Sequence, residues 1–559
     1  MTRAPRRRAI RPSRRLATIA LLCVGLAVAI ALRVDDMHLK RGIPDDEGLT
    51  YAVAAGHQDE YYRAKDGGLA GKWVAASEWK DMLQPDGFWG FGDVRVGLTE
   101  HSIHPPLYFW LFHVWVWLLG VKLWTGPLLN LLFSLCTAFA VFALARRLTQ
   151  HTVYAAFAAA IWACSYPVVV ISRTARHYEL FALLTVLFVL ASLRFLTDRK
   201  AAGRGDWIAL ALVTAACLLT HYEFFAFAAG SVLLFVVMLW RDRRRLLIAL
   251  GALLAGAVLA TALNPYFYES FVKQREHTLV VQSGKAQLAR RVDVTRFALQ
   301  SFFRYAVPSP EPVPVPLKPT PTVRHGLLAG AVVVAAAAAF GLALLIPRTR
   351  RLLRRAAARV SRDSWAFLAF LVLAAATTIL PYLTFQVPDY AMGKRYQAMF
   401  WPLLAVAVTM AVKALGKPGV VVAAALGVWM LVPAVYLMAF PVQRAPVVPF
   451  PSDARRLIVN STIEGKLLPA LWPVPGDVEV FAKSSTLLSA RADQWLTDLP
   501  RGTYFANIYS RRDPASGMPL KLLQEHYGLR EVTHMWWSGG TLYEVLDPLP
   551  GTDTQDPLQ

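Results

Sequence analysis

Stretches of about 20 consecutive apolar residues recur along this chain, and each is long enough as a helix to cross a ~30 Å hydrocarbon layer. Candidate spans are 16–34, 124–145, 153–172, 177–196, 207–221, 223–240, 246–263, 326–347, 364–386, 398–415 and 419–440, eleven in all. Of the 559 residues, 56% are hydrophobic and 17% charged. A soluble domain cannot hide so many continuous apolar runs around one core. The chain reads as a polytopic membrane protein.

Its formal net charge of +22 sits in short loops. Arg3 to Arg15 holds seven arginines and no acid, and Arg348 to Arg362 holds seven more. Smaller clusters lie at Arg146-Arg147, 199–204 and 241–245. Such clusters beside membrane helices are cytoplasmic orientation signals. From Pro441 onward, 11 basic residues face 13 acidic ones, so no basic face remains for nucleic acid. The expected non-covalent surroundings are membrane lipids. The basic start followed by Leu16 to Val34 exceeds a signal-peptide core and lacks a small-residue cleavage site, so it reads as a retained first helix. Cys23, Cys136, Cys164 and Cys217 all fall in apolar helices, which excludes a disulfide framework for the outer loops and a cysteine metal site.

An odd number of spans from a cytoplasmic N-terminus puts the tail outside. The segment "HPPLYFWLFHVWVWLLG", His104 to Gly120, is apolar, but its helical part is only ~15 residues, or ~22 Å. It carries Tyr108, Trp110, Trp115 and Trp117, residues that favour the membrane interface. If it crossed, Arg146-Arg147 and every later basic loop would flip outward. It is therefore expected as a juxtamembrane helix in the outer leaflet. The outer face then collects 35–123, 172–180, 220–223, 265–324, 387–397 and 441–559. Seven prolines in "PSPEPVPVPLKPTPT" favour an extended strut. The tail reads as a small α/β domain, with strands at "DVEVFA" and "GTYFANIY", a helix at "MPLKLLQEHYG" ending at Gly528, and a hairpin at "REVTHMWWSGGTLYEVLD". The expected division is a basic N-terminus 1–15, a multi-span module 16–440 and an extracytoplasmic domain 441–559.

Two polar clusters bracket the first outer loop. Asp45, Asp46 and Glu47 follow Pro44, where they suit the first turn of a helix and its positive dipole end. Glu100, His101 and His104 end the loop in "TEHSIHPP". Capping accounts for acids being tolerated at 45–47, and a catalytic carboxylate accounts for them equally. Arg176 and Lys394-Arg395 read either as headgroup anchors or as phosphate binders. His177 and His221-Tyr222 read as interfacial packing.

Four segments in order carry a resemblance: "DEGLTYAVA", "HPPLYFWLFHVWVWLLG", "SRTARHYELFALLTVL" and "KRYQAMFWPLLAVA". Together the chain resembles a type-C glycosyltransferase of family 39, the protein mannosyltransferase and lipid A aminoarabinose transferase group. The resemblance implies a mainly α, polytopic helix bundle of the type-C glycosyltransferase kind with a small C-terminal extracytoplasmic α/β domain. It implies an inverting enzyme of the bacterial inner membrane that moves a sugar from a polyprenyl-phosphate carrier to a lipid, glycan or protein acceptor. Asp46 would be the general base, beside Glu47 and Asp45. Arg176, Tyr178, Lys394, Arg395 and Tyr396 would bind the donor and its phosphate. Glu100 and His104 would orient substrate or hold a divalent metal; no other cofactor is implied. The rival reading is a secondary transporter or flippase for a lipid-linked or charged solute. The absence of an internal repeat, and polar residues gathered at helix ends on one side, count against it.

Overall fold

The computed structural model of the protein describes residues 12–40, 42–102, 104–198, 203–270, 272, 361–384, 397–427, 449–461, 466–508, 517–535 and 540–550. The expected span 326–347, residues 428–440 of the span 419–440, the proline strut and Lys394, Arg395 and Tyr396 lie outside these residues. The chain opens with helix α1 (Pro12–Leu39) and then lays down short helices: α2 (Asp45–Ala55), α3 (Gln58–Arg63), α4 (Ala76–Asp81), α5 (Phe91–His101) and α6 (Leu107–Leu119). The bundle resumes with α7 (Thr125–Thr149), α8 (Thr152–Cys164), α9 (Tyr166–Ser172) and α10 (Tyr178–Thr197). It continues through α11 (Arg204–Leu218), α12 (Phe224–Leu239), α13 (Arg243–Leu263), α14 (Arg362–Thr384) and α15 (Phe400–Ala414). Among the described residues, four stretches, Arg15–Asp35, Thr125–Thr149, Tyr178–Thr197 and Arg243–Leu263, are long and apolar enough to cross a membrane. The protein is a membrane protein. With 13 residues, or ~20 Å, α6 falls short of the hydrocarbon thickness.

Small residues let α1 and α8 approach closely. A Cβ added at Gly25 would stand 2.9 Å from the Cβ of Ala160. In a lipid environment such close backbone packing replaces the hydrophobic drive that water supplies elsewhere.

The expected single span 153–172 is two helices, α8 and α9, separated at Ser165, whose backbone is extended at φ −68° and ψ 132°. The cause is local. The carbonyl of Ala163 would accept from the N–H of residue 167 in a continuous helix, and Pro167 has none. Arg33, only 2% exposed, supplies the missing donor: its Nη1 donates to the Ala163 carbonyl at 2.8 Å and to that of Ala29 at 3.1 Å. Its Nη2 donates to Ser134 Oγ at 2.9 Å. A buried arginine in the bundle thus caps a broken helix, and the freed α9 leads into the turn that carries Arg176.

The C-terminal residues supply five strands of a six-stranded sheet in the order β1-β3-β2-β4-β6-β5. Its strands are β1 (Val74–Ala75), β2 (Arg456–Ser461), β3 (Glu479–Lys483), β4 (Thr503–Ile508), β5 (Tyr527–Met535) and β6 (Gly540–Pro548). The strands expected at "DVEVFA" and "GTYFANIY" and the expected hairpin are present as β3, β4 and β5–β6. Side chains alternate across the sheet as strand geometry requires. Leu457 and Val459 of β2 join the main core, while Ile458 packs with Phe481, Trp495 and Phe505 on the other side.

Two features depart from expectation. The helix Met518–His526 stops before Gly528, which lies inside β5. Tyr527 turns the chain because its ring is buried and its hydroxyl donates to the Leu496 carbonyl at 3.0 Å, a tertiary contact that overrides helix periodicity. The second departure is β1, which belongs to the segment between α1 and α6 and pairs antiparallel with β3. Gly71, Ala76 and Ser77 donate backbone hydrogen bonds to Ala482, Val478 and Gly476, so loop and tail form one layer.

The capped break predicts a thermodynamic rescue. Arg33→Met leaves the Ala163 carbonyl buried without a donor, at a cost of about 1–3 kcal/mol. Its melting temperature in detergent should fall, and adding Pro167→Ala, which restores an N–H, should recover part of the loss. An unchanged melting temperature for Arg33→Met would remove the capping role.

Candidate functional site

Helix α2 begins at Asp45, directly after Pro44 (φ −72°, ψ 165°). Successive residues on a helix point ~100° apart, so Asp46 and Glu47 must face different surroundings. Glu47 turns inward and its side chain is 0% exposed, whereas that of Asp46 is 35% exposed. The difference decides which carboxylate a substrate can reach.

Both oxygens of Glu47 lie 2.6 Å from Lys40 Nζ, and Oε1 also accepts from the Ala175 N–H at 3.1 Å. Lys40 donates in addition to the Arg173 carbonyl at 3.1 Å. Burial pushes the Glu47 carboxyl above its ordinary range, against the opposing pull of Lys40, the Ala175 N–H and Arg176. Only glycine fits at 126, because a Cβ there would stand 2.3 Å from Ala175 Cβ and 3.2 Å from Glu47 Oε1.

Arg176 sits in the turn between α9 and α10. Asn130 holds that turn by donating from Nδ2 to the Thr174 carbonyl at 2.6 Å. The guanidinium reaches back to α2, with Nη1 donating to Thr50 Oγ1 at 3.2 Å and to the Asp46 carbonyl at 3.4 Å. Its Nη2 lies 4.0 Å from Asp46 Oδ2 and donates to His104 Nε2 at 3.2 Å. A guanidinium only donates, so His104 accepts at Nε2 and carries its proton on Nδ1. Burial first, then the charges of Arg176 and His221, hold the His104 imidazole well below its usual range, while Asp46 acts the other way. The backbone hydrogen bond from Leu107 to Leu219, 2.8 Å, ties the His-Pro-Pro element to the turn after α11. Asp46, His104 and Arg176, which lie far apart in sequence, therefore meet at one place.

Other expected residues are placed differently. Tyr178 is buried in a cluster of rings, 6.0 Å from His221, which itself lies 4.8 Å from His177 and 4.8 Å from Phe181. Glu100 gathers not with His104 but with His101 and Asp59, whose ligand atoms all lie within 4.8 Å of one another. His101 Nε2 is 3.0 Å from Asp59 Oδ1 and 3.8 Å from Glu100 Oε2, and its ring stacks on Tyr62 at 4.5 Å. These three donors suit a divalent cation only in part, because Arg63 also pairs with Asp59. Asp45 lies in α2, and its side chain is outside the described residues.

Lys40, Thr50 and Asn130 were not legible as site residues. A lysine closing a membrane helix looks like a headgroup anchor. Thr50 follows Asp46 by one helical turn, which was the available signal.

Residues 103–268 match the family model described as Dolichyl-phosphate-mannose-protein mannosyltransferase. The matched segment includes His104 and Arg176, and it bears out the resemblance to a type-C glycosyltransferase. Among solved structures, the chain is similar to ArnT from Cupriavidus metallidurans bound to undecaprenyl phosphate, at 14% identity and a TM-score of 0.36 over 93% of this chain and 97% of that one. The same protein in the apo state gives 14% identity and a TM-score of 0.39 over 94% and 98%. No curated protein matches the chain.

A neutral His104 predicts the direction of a pH effect. Its folded value lies below the unfolded value of ~6.5, so below that pH the unfolded chain binds a proton that the folded chain refuses. Stability from this residue is full above ~6.5 and is lost as pH falls toward the folded value. His104→Gln keeps an acceptor for Arg176 without titrating. Between pH 7.5 and 5 the wild type should lose melting temperature faster than this variant; parallel curves would contradict the assignment.

Proposed function

We propose that the protein is a membrane glycosyltransferase, moving a sugar from a polyprenyl-phosphate carrier to an acceptor hydroxyl on the outer face of a bacterial inner membrane. The family match over residues 103–268 supports the class of reaction. The observation that carries the reading is a half-open carboxylate, Asp46, 4.0 Å from a guanidinium held by its own helix.

In this reading the acceptor hydroxyl attacks the anomeric carbon as Asp46 takes its proton. The bond from that carbon to the phosphate oxygen breaks, and the electron pair leaves with the carrier phosphate. A single displacement inverts the anomeric centre. Arg176 meets the charge that develops on the phosphate, and its Nε, buried without a hydrogen-bond partner among the described residues, adds a donor for it. His104 accepts from Nη2 and so fixes the plane of the fork. Lys394, Arg395 and Tyr396 supply further contacts to the carrier, Tyr178 backs the turn, and Glu100 lines the acceptor's approach. The acceptor is a lipid, glycan or protein hydroxyl. We place the C-terminal domain on the extracytoplasmic side with this site, a reading supported by Trp472, whose ring lies 5.7 Å from that of Tyr51 in α2.

One observation leans toward a transporter, the interrupted helix at Ser165. Its freed carbonyl is already occupied by Arg33, however, and so is not offered to a solute.

Asp46→Asn keeps the shape and the helix start while removing proton acceptance. Turnover should fall on the order of 10²–10⁴-fold with the melting temperature unchanged. Mass spectrometry of cell-envelope glycans and lipids from cells carrying wild type or variant supplies the readout. Full product from the Asp46→Asn strain would overturn the assignment.

A further inference from the structure

Lys40 has no place in the motifs, yet it joins three segments that the site depends on. It closes α1, neutralises Glu47 in the first turn of α2, and donates to the Arg173 carbonyl in the turn before α10. Glu47 completes the link by accepting from the Ala175 N–H. The pair is dry, with side-chain exposures of 10% and 0%. Asp46 precedes Glu47 by one residue and Arg176 follows Ala175 by one. Whatever fixes Glu47 against Ala175 therefore fixes the base against the guanidinium.

We infer that Lys40 and Glu47 are positioning residues, a buried charge pair that sets the distance between Asp46 and Arg176 and so the alignment of the carrier's phosphate with the base. The inference rests on the glycosyltransferase reading. Glu47 takes no proton from the acceptor in this role, because its oxygens are committed to Lys40 and Ala175. A buried ion pair is weak evidence of net stabilisation, since apolar residues of similar volume often hold a fold as well. What such residues lack is direction. An apolar pair fills the space without anchoring the carbonyl of Arg173 or the N–H of Ala175.

That difference supplies the test, made on the detergent-solubilised full chain. Lys40→Met alone leaves Glu47 buried without its cation and should lower the melting temperature. Lys40→Met with Glu47→Met should restore the melting temperature yet raise amide hydrogen exchange across 173–176. It should also bind undecaprenyl phosphate roughly tenfold more weakly, the loss of about one charge-assisted hydrogen bond. Lys40→Arg should bind like wild type. Wild-type exchange and wild-type binding in the double variant would overturn the inference. If the double variant fails to fold, Lys40→Leu with Glu47→Gln carries the test, since it removes the charge pair and the donor to Arg173; unchanged exchange at 173–176 and unchanged binding would again overturn it. Wild-type protein that binds no undecaprenyl phosphate would sink the functional reading, while the exchange comparison would still decide the role of the pair.

Discussion

A carboxylate removed from water at the C-terminal end of the first membrane helix needs a counter-charge and hydrogen bonds, or it distorts the fold around it. Glu47 meets this demand with Lys40 and the Ala175 N–H. Because those partners come from α1 and from the turn before α10, satisfying one acid draws together segments more than 120 residues apart in sequence. The neighbouring positions are carried along: Asp46 outward toward solvent, Arg176 back across Thr50. The same economy of donors appears at Arg33, which answers the carbonyl that Pro167 leaves open. Both devices place a basic side chain where backbone or carboxylate oxygens would otherwise be stranded.

These two anchors act on either end of α9. Arg33 holds its entry through Ala163, and Lys40 holds its exit through Arg173. The short helix and the turn after it are thus a rigid arm, with Asn130 as a third support. Preorganisation of this kind suits phosphate chemistry, where the donor must meet charge that develops only as the bond breaks. The layer made by the first loop and the sheet closes over the same end of the bundle, with β1 stitched to β3 and Lys80 donating to the Val474 carbonyl.

Much of this was legible in the sequence. Apolar run length gave the bundle, alternation gave the central strands, and "HPPLY" and "ARHYE" marked the two elements that meet α2. The rest was hidden for identifiable reasons. Hydropathy averages over the break at 165, because removing one N–H leaves the apolar character of 153–172 intact. A two-residue edge strand such as Val74–Ala75 has no periodicity to read. The pairing of Glu100 with His101 and Asp59 depends on how α3 crosses α5, which local spacing does not encode. Lys40 looked like any basic residue at a helix end; only its lack of exposure distinguishes it. Adjacent acids at 46 and 47 are alike in composition, and only the helical turn of α2 sends one to solvent and the other into the bundle.

The central claim is that an outer-face site built from Asp46, His104 and Arg176 receives a polyprenyl phosphate. It is tested most directly by an experimental structure of the full chain with undecaprenyl phosphate. The account predicts the phosphate within ~3 Å of the Arg176 guanidinium, on the side that Asp46 faces. A phosphate bound instead at the opposite end of the bundle, beside Arg147 and Arg245, would contradict it.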